Sequence, residues 1–318
     1  MKLIITIDTE EDNWGNYRPM GYTLENIRKI PALQDIFDVF GVKPTYLVTY
    51  SVAKDRKAVS VLKAILDEGR CEIGAHCHPW HTPPFEELPN ERTSMLCNLP
   101  GDLQFRKLRN LHNTIISGFN VTPVSFRAGR WGYNRDVAAN IHRLGYKVDS
   151  SVTPYTDWTN SHGPDFTKFS PKPFRFSPVD ILRETAGGGL VEVPATIGFL
   201  QQNFSLCSTV LAAAQSFPMK YLKAAGILCR LSLVNKAWLS PEVSDSATMI
   251  KLARRMMQNR YRILNLVFHS PTLMAGVTPF VRTSKDERRF LEHIRDFLSF
   301  ARGNGIGSMK LSEISGVL

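Results

Sequence analysis

An α/β fold built on a parallel sheet or barrel is what this sequence predicts. Short apolar, β-branched runs alternate with amphipathic helical stretches along most of the chain, the order a parallel sheet requires. The polar residues with chemical potential, Asp8, Glu10, His76, His78, Arg127, Asp149 and His269, fall at the ends of the apolar runs, where parallel α/β folds place their sites. The 318 residues, 43% of them hydrophobic, supply a core for one large domain.

Residues 3–8 form a short β-branched run that predicts a buried opening strand. Residues 23–40 show helical periodicity through Leu24, Ile27, Ile30, Leu33, Ile36, Phe37 and Phe40, with Thr23 as N-cap and Gly41 as the stop. A second strand is predicted over 44–49, a helix over 54–68 ended by Gly69, and a third strand over 71–75. Helix 102–117, strand 124–127, helix 135–144 and strand 147–149 continue the alternation. Residues 150–178, rich in Pro, Ser, Thr and aromatics, read as a long loop of the kind that often carries function. A strand over 190–194 follows the glycine turn at 187–189. Residues 205–239 are apolar and basic, with Met219, Tyr221, Leu222, Ile227 and Leu228 among Lys220, Lys223 and Arg230, and read as helices. Together with helix 242–259 they make a helical insertion at about 201–258 within a single domain spanning 1–318. Strand 263–268 and helix 286–301 complete the chain.

Lys and Arg number 39 against 29 Asp and Glu, a formal charge of +10 that suits an acidic partner such as an anionic glycan or a lipid headgroup. Zinc-finger spacing and aromatic RNA-binding motifs are absent, which disfavours nucleic acid. The five cysteines are irregularly spaced without a C-x-x-C, as expected of reduced thiols and not of a disulfide framework. The opening MKLIITIDTEED is too short an apolar run for a secretory signal and ends in acids. No apolar stretch of about 20 residues predicts a membrane span. The expectation is a cytoplasmic protein; 205–239 could serve as a peripheral membrane contact, as packing helices or as an oligomer interface.

Five segments carry candidate chemistry. In T-I-D-T-E-E-D, Asp8 and Glu10 lie two apart and share a face if extended, so both carboxylates can enter one site; an acidic turn in solvent is the plainer reading. In G-A-H-C-H-P-W-H, three of the eight histidines in the chain fall within six residues, and His76 and His78 share a face, a pattern that favours a metal over a satisfied polar residue. Cys77 should then point to the core, and His81 is a ligand, a substrate contact or surface. In R-A-G-R-W-G, Arg127 can fix a carboxylate, and the glycines allow close approach and free amide donors for an oxyanion. Asp149 can orient a histidine, and Trp158 can stack on a sugar or sit in the core. His269, ending the apolar L-V-F-H, suits a general acid or a buried structural histidine.

In their order these segments resemble the polysaccharide deacetylase family, the NodB-homology carbohydrate esterases. That family runs T-F-D-D, a histidine motif ending in His-Pro, R-x-P-x-G, an Asp/Trp motif and L-x-H; the counterparts here are TIDTEED, GAHCHPWH, RAGRWG, VDSSVTPYTDW and LVFHS. The likeness covers about residues 1–200 and 260–318. It implies a distorted (β/α) barrel. It implies Asp8 as catalytic base, Glu10, His76 and His78 as metal ligands, and Arg127 as the group that positions Asp8. It further implies His269 as general acid tuned by Asp149, a Trp131 amide at the oxyanion, and Phe268 and Trp158 lining the acetyl pocket and sugar groove. Glu10 replaces the family's second Asp, His76 and His78 are two apart where the family's pair is usually four apart, and Glu11, Asp12 and His81 stand as substitute ligands.

The implied function is hydrolysis of an N-acyl, foremost N-acetyl, group on an amino sugar of a glycan or of a lipid- or nucleotide-linked precursor. The implied cofactor is a divalent metal, zinc first, with cobalt, manganese or nickel as alternatives. Two other readings remain: a metal-independent amidohydrolase acting on a small cyclic amide, and an inactive carbohydrate-binding protein.

Overall fold

The computed structural model describes residues 1–12, 14–178, 180–185, 187–216, 221 and 224–318. Of the apolar and basic positions singled out in 205–239, Met219, Lys220, Leu222 and Lys223 lie outside the described residues.

The first strand, β1 (Lys2–Thr9), is almost wholly buried. Its side chains alternate: Leu3, Ile5 and Ile7 join the large cluster beneath the helices, whereas Ile4 joins a second, smaller cluster inside the sheet's curl. Four further strands follow in the predicted places: β2 (Thr45–Val48), β3 (Glu72–Cys77), β4 (Ser125–Ala128) and β5 (Val148–Asp149). Between them run α1 (Ile30–Val39), α2 (Tyr50–Lys54), α3 (Arg56–Asp67), α4 (Gly101–Phe119) and α5 (Arg135–Arg143). The chain continues through β6 (Phe174–Ser177), β7 (Asp180–Glu184), β8 (Leu190–Glu192) and β9 (Ile197–Phe199). It then passes through α6 (Phe204–Gln215), α7 (Ala224–Arg230), β10 (Lys236–Trp238) and α8 (Ser246–Gln258). It ends with β11 (Ile263–His269), α9 (Ser284–Gly303) and β12 (Gly307–Ser308).

The sheet order is β11-β1-β2-β3-β4-β5-β8, every neighbour parallel, extended by the antiparallel β6 and β7. The sheet curls into the expected distorted barrel. Its gap is bridged by the segment after β8: the Thr196 amide donates to the Asn265 carbonyl, and the Asn265 side-chain amide donates to the carbonyls of Val193 and Pro194. The bottom of the curl is filled by Ile4, Leu47, Val148, Val191 and Ile263, capped by Leu311 and Ile314. Above this apolar layer the interior turns polar, with Thr6, Arg127, Ser150 and Asn265 all fully buried and hydrogen-bonded to one another. That polar layer is the floor of the site.

Several local expectations change. The helix predicted over 23–40 starts as a 3-10 turn, Glu25–Lys29, and becomes α1 only at Ile30, with proline in its first turn. Thr23 is not its N-cap; the Asp12 carboxylate accepts from the Glu25 and Asn26 amides instead. The helix predicted over 54–68 is α3, which starts at Arg56 because Asp55 is extended and caps it through the Ala58 amide, and the short α2 precedes it. The long loop contains β6. The insertion contains β10, which pairs antiparallel with β9, and α8 packs on α9 as an ordinary outer-layer helix. No described helix is long and apolar enough to cross a membrane.

Candidate active site

The exits of β1, β3, β4 and β11 at the carboxyl end of the barrel meet in one place. On β1 the inward register Ile4, Thr6, Asp8 continues past the strand to Glu10, whose backbone is pinned by Ser270 Oγ (3.1 Å to its amide) and by Asn26 Nδ2 (2.9 Å to its carbonyl). On β3 the inward positions are Glu72, Gly74 and His76, and His78 follows just beyond the strand. Cys77, between the histidines, faces the outer core as its register requires.

Three donor atoms converge. Glu10 Oε2 lies 3.4 Å from His76 Nε2 and 3.2 Å from His78 Nε2, and the two imidazole nitrogens are 3.1 Å apart. All three residues are buried. The other ring nitrogens settle the tautomers. His76 Nδ1 donates to the Arg127 carbonyl at 3.1 Å, and His78 Nδ1 to Glu11 Oε2 at 3.2 Å, so both Nε2 atoms can turn lone pairs to the common point. Ligands about 2.0–2.1 Å from one ion at tetrahedral angles are about 3.4 Å apart, so this donor set fits a divalent metal. Glu11 orients: one oxygen faces His78 and His81 (3.0 Å to His81 Nδ1), and the other accepts from Thr49 Oγ1. Burial alone would raise the Glu10 carboxyl, but His78, His269 and His76 hold it far below the ordinary range. For His78, burial lowers the pKa, yet Glu10 and Glu11 overcome it and raise the value to about 9.

Asp8 stands beside this triangle, its Oδ2 3.7 Å from His76 Nε2. Its Oδ1 accepts from Arg127 Nη1 at 2.6 Å. The Arg127 guanidinium is fully buried and spends its other donors on Thr6 Oγ1, Ser150 Oγ and the Ser150 carbonyl. Burial tends to raise the Asp8 carboxyl, but Arg127, His76 and His269 bring it below its usual value, so Asp8 is ionised.

His269 completes the group. Its Nε2 is 3.6 Å from Asp8 Oδ2, and its Nδ1 faces the Glu242 carboxylate at 3.0 Å. Burial lowers its pKa; Glu242, Glu10 and Asp8 outweigh that and raise it to about 10. The imidazolium therefore persists at neutral pH with a proton on Nε2.

Above these groups opens a cleft of about 370 Å³, lined by all five tryptophans of the chain: Trp14, Trp80, Trp131, Trp158 and Trp238. Trp80 stacks on His78 at 4.2 Å between centroids. Trp158 is held by a hydrogen bond from Nε1 to Thr153 Oγ1. Arg130 and Trp131 both have positive φ (52° and 61°), the turn that brings both to the cleft.

The structure thus brings together Asp8, Glu10, His76, His78, Arg127, Trp131, Trp158 and His269. It corrects two assignments and one pairing. Phe268 does not line the cleft: on β11 the inward register is Asn265, Val267, His269, so Phe268 points outward against Phe290 of α9, and Val267 takes the wall. Asp149 is likewise one residue out of phase. Val148 joins the inner apolar cluster and Ser150 the polar floor, whereas Asp149 packs outside with Ser151 and Glu192. It does not tune His269; Glu242 does. Asp12 is no ligand, being occupied with Thr23, Glu25 and Asn26. The sequence offers Glu242 only as the start of a helix over 242–259; α8 begins at Ser246, and Glu242 in the loop before it meets His269, 27 residues away. Trp14 and Trp80 could have been found, because each closely follows a predicted strand end.

No protein-family model and no curated protein matches the sequence. Solved structures do. One is a candidate polysaccharide deacetylase from Mycobacterium smegmatis, 16% identical, TM-score 0.55, with 99% of this chain and 89% of that chain covered. A carbohydrate esterase family 4 pseudoenzyme from Bacillus anthracis is 11% identical with TM-score 0.47, covering 98% of this chain and 64% of the other. A variant of a peptidoglycan deacetylase from Bacillus subtilis is 11% identical with TM-score 0.45, covering 99% and 90%. At these identities the shared property is architecture, and it is carried by the Mycobacterium smegmatis protein. The chain has the polysaccharide deacetylase fold, at low sequence identity to its structural neighbours.

Proposed function

We propose that this protein removes an N-acyl, foremost N-acetyl, group from an amino sugar by metal-assisted hydrolysis. The observation that carries the reading is the buried convergence of Glu10, His76 and His78, at 3.1–3.4 Å from one another, with an ionised Asp8 and a protonated His269 beside them. Glu10, His76 and His78 would hold the ion, zinc first among divalent metals. Such an ion supplies acidity to a water molecule and polarises an amide carbonyl.

The chain's own residues do the rest. Arg127 binds Asp8 Oδ1 and leaves Oδ2 turned to the site, where it accepts the proton of the attacking water. The Trp131 amide offers a donor to the oxyanion. His269 passes its Nε2 proton to the departing amine, and Glu242 stabilises the imidazolium through Nδ1. Water and amide become a carboxylic acid and an amino sugar. The tryptophan-lined cleft favours a sugar ring, whose apolar face packs on indole. The net charge of +10 and Arg130 at the cleft suit a sugar bearing an anionic group.

The test combines metal analysis with acetate release from N-acetylated sugars, for the wild type and His78→Ala. One divalent ion per chain, lost with His78 together with activity, is the expected result. A wild-type protein that takes up no zinc, cobalt, manganese or nickel and releases no acetate would overturn the reading.

A further inference from the structure

The rim of the cleft is a closed circuit. Residues 14–17 cross the mouth as a strap. Its Trp14 ring sits 4.8 Å from the His269 ring and 5.3 Å from Phe280 on the β11 side. Three residues later Tyr17 reaches the opposite wall, 5.2 Å from the Trp80 ring and under the Arg130 guanidinium at 4.7 Å. Arg130 is followed by Trp131, whose ring lies 6.2 Å from Trp238 on β10. From Trp238 the chain runs to Glu242, which accepts from Thr272 Oγ1 at 2.6 Å and pairs with His269. That returns the circuit to Trp14.

A groove that processes the interior of a polymer needs two gaps in its rim, so that sugars on either side of the reacting one can pass out. Ring contacts at 4.5–7 Å are ordinary aromatic packing and leave no passage for a sugar between them. The cleft volume of about 370 Å³ lies near the small end of the roughly 300–1,000 Å³ range of ligand pockets. We infer that the cleft admits one terminal amino-sugar residue end-on, free or at the end of a chain, and excludes interior residues of a glycan. This rests on the proposed hydrolase reading and narrows its substrate class.

The test uses the full-length, zinc- or cobalt-loaded protein. Substrates are the free N-acetyl derivatives of glucosamine, galactosamine and mannosamine, and pentamers of N-acetylglucosamine and of N-acetylgalactosamine labelled at the reducing end. Tandem mass spectrometry locates each new amine. The expected result is amines on free sugars or on a terminal residue, with interior positions reacting at least about 100-fold more slowly. Tyr17→Ala, which cuts the strap from the Trp80 and Arg130 wall, should raise the interior share at least about tenfold. Interior deacetylation by the wild type within about tenfold of the terminal rate would overturn this inference while leaving the hydrolase reading in place. Acetate release from none of these substrates would remove both.

Discussion

Asp8 and His269 face each other with opposite assignments, and their surroundings explain why. Arg127 keeps Asp8 ionised and Glu242 keeps His269 protonated. Asp8→Asn preserves shape and its contact to Arg127 but cannot accept a proton; turnover should fall by ~10²–10⁴-fold while bound metal stays at the wild-type level, measured by parallel kinetics and metal analysis. Glu242→Gln removes the largest of the influences that raise His269. Its pKa should drop from about 10 toward the ordinary value, so the acid form is lost earlier and the alkaline limb of the pH–rate profile moves to lower pH. His78 makes a third case. In the metal-free protein its pKa is about 9, so at pH 7 it carries a proton that a metal must displace. Metal uptake at pH 7 should release protons, and affinity should rise as pH climbs from 7 to 9. Calorimetry in buffers of different ionisation enthalpy reads both; uptake without proton release would contradict the assigned state of His78.

At the scale of elements, the site depends on strands approaching more closely than side chains normally allow. Gly129, just after β4, lies against β3: a Cβ there would come within 2.5 Å of His78 Cδ2 and 2.6 Å of the Cys77 carbonyl. Gly129→Ala should therefore move His78 and weaken metal binding with little change in secondary structure, checked by metal titration beside circular dichroism. Gly74 plays the matching part deeper in the barrel, where a Cβ would meet Leu47 Cδ2 at 2.6 Å and the Ser125 carbonyl at 2.8 Å. The packing leaves no room for a side chain there.

For the whole molecule, stability is coupled to pH through a pair of carboxyls that the proposed catalysis does not use. Asp149 and Glu192 are buried side by side on neighbouring strands, and burial raises both, Glu192 further through the charge of Asp149. A carboxyl raised in the folded state binds its proton more tightly there than when unfolded. Its contribution is complete below the unfolded value of about 4.3 and declines as pH rises toward the folded one. Glu192→Gln keeps an oxygen for the Val152 amide and abolishes that decline. The melting temperature of the wild type should therefore fall more between pH 5 and pH 8 than that of the variant, as thermal unfolding at both pH values would show.

Periodicity and punctuation in the chain determine its alternating elements. Period-two alternation in β1, β3 and β11 also puts Asp8, His76 and His269 on inward faces, because a strand has only two sides. Those are local properties, and a single sequence contains them. Phe268 and the pairing of Asp149 with His269 are implied by the family resemblance, and each is one residue out of phase with the inward face, which is settled only when the sheet curls. Glu242 as partner of His269, Glu11 behind His78, the strap of Trp14 and Tyr17 and the exclusion of a side chain at Gly74 all belong to tertiary structure. Each joins residues far apart in the chain through contacts that local propensity does not encode, so only the closed barrel could decide them.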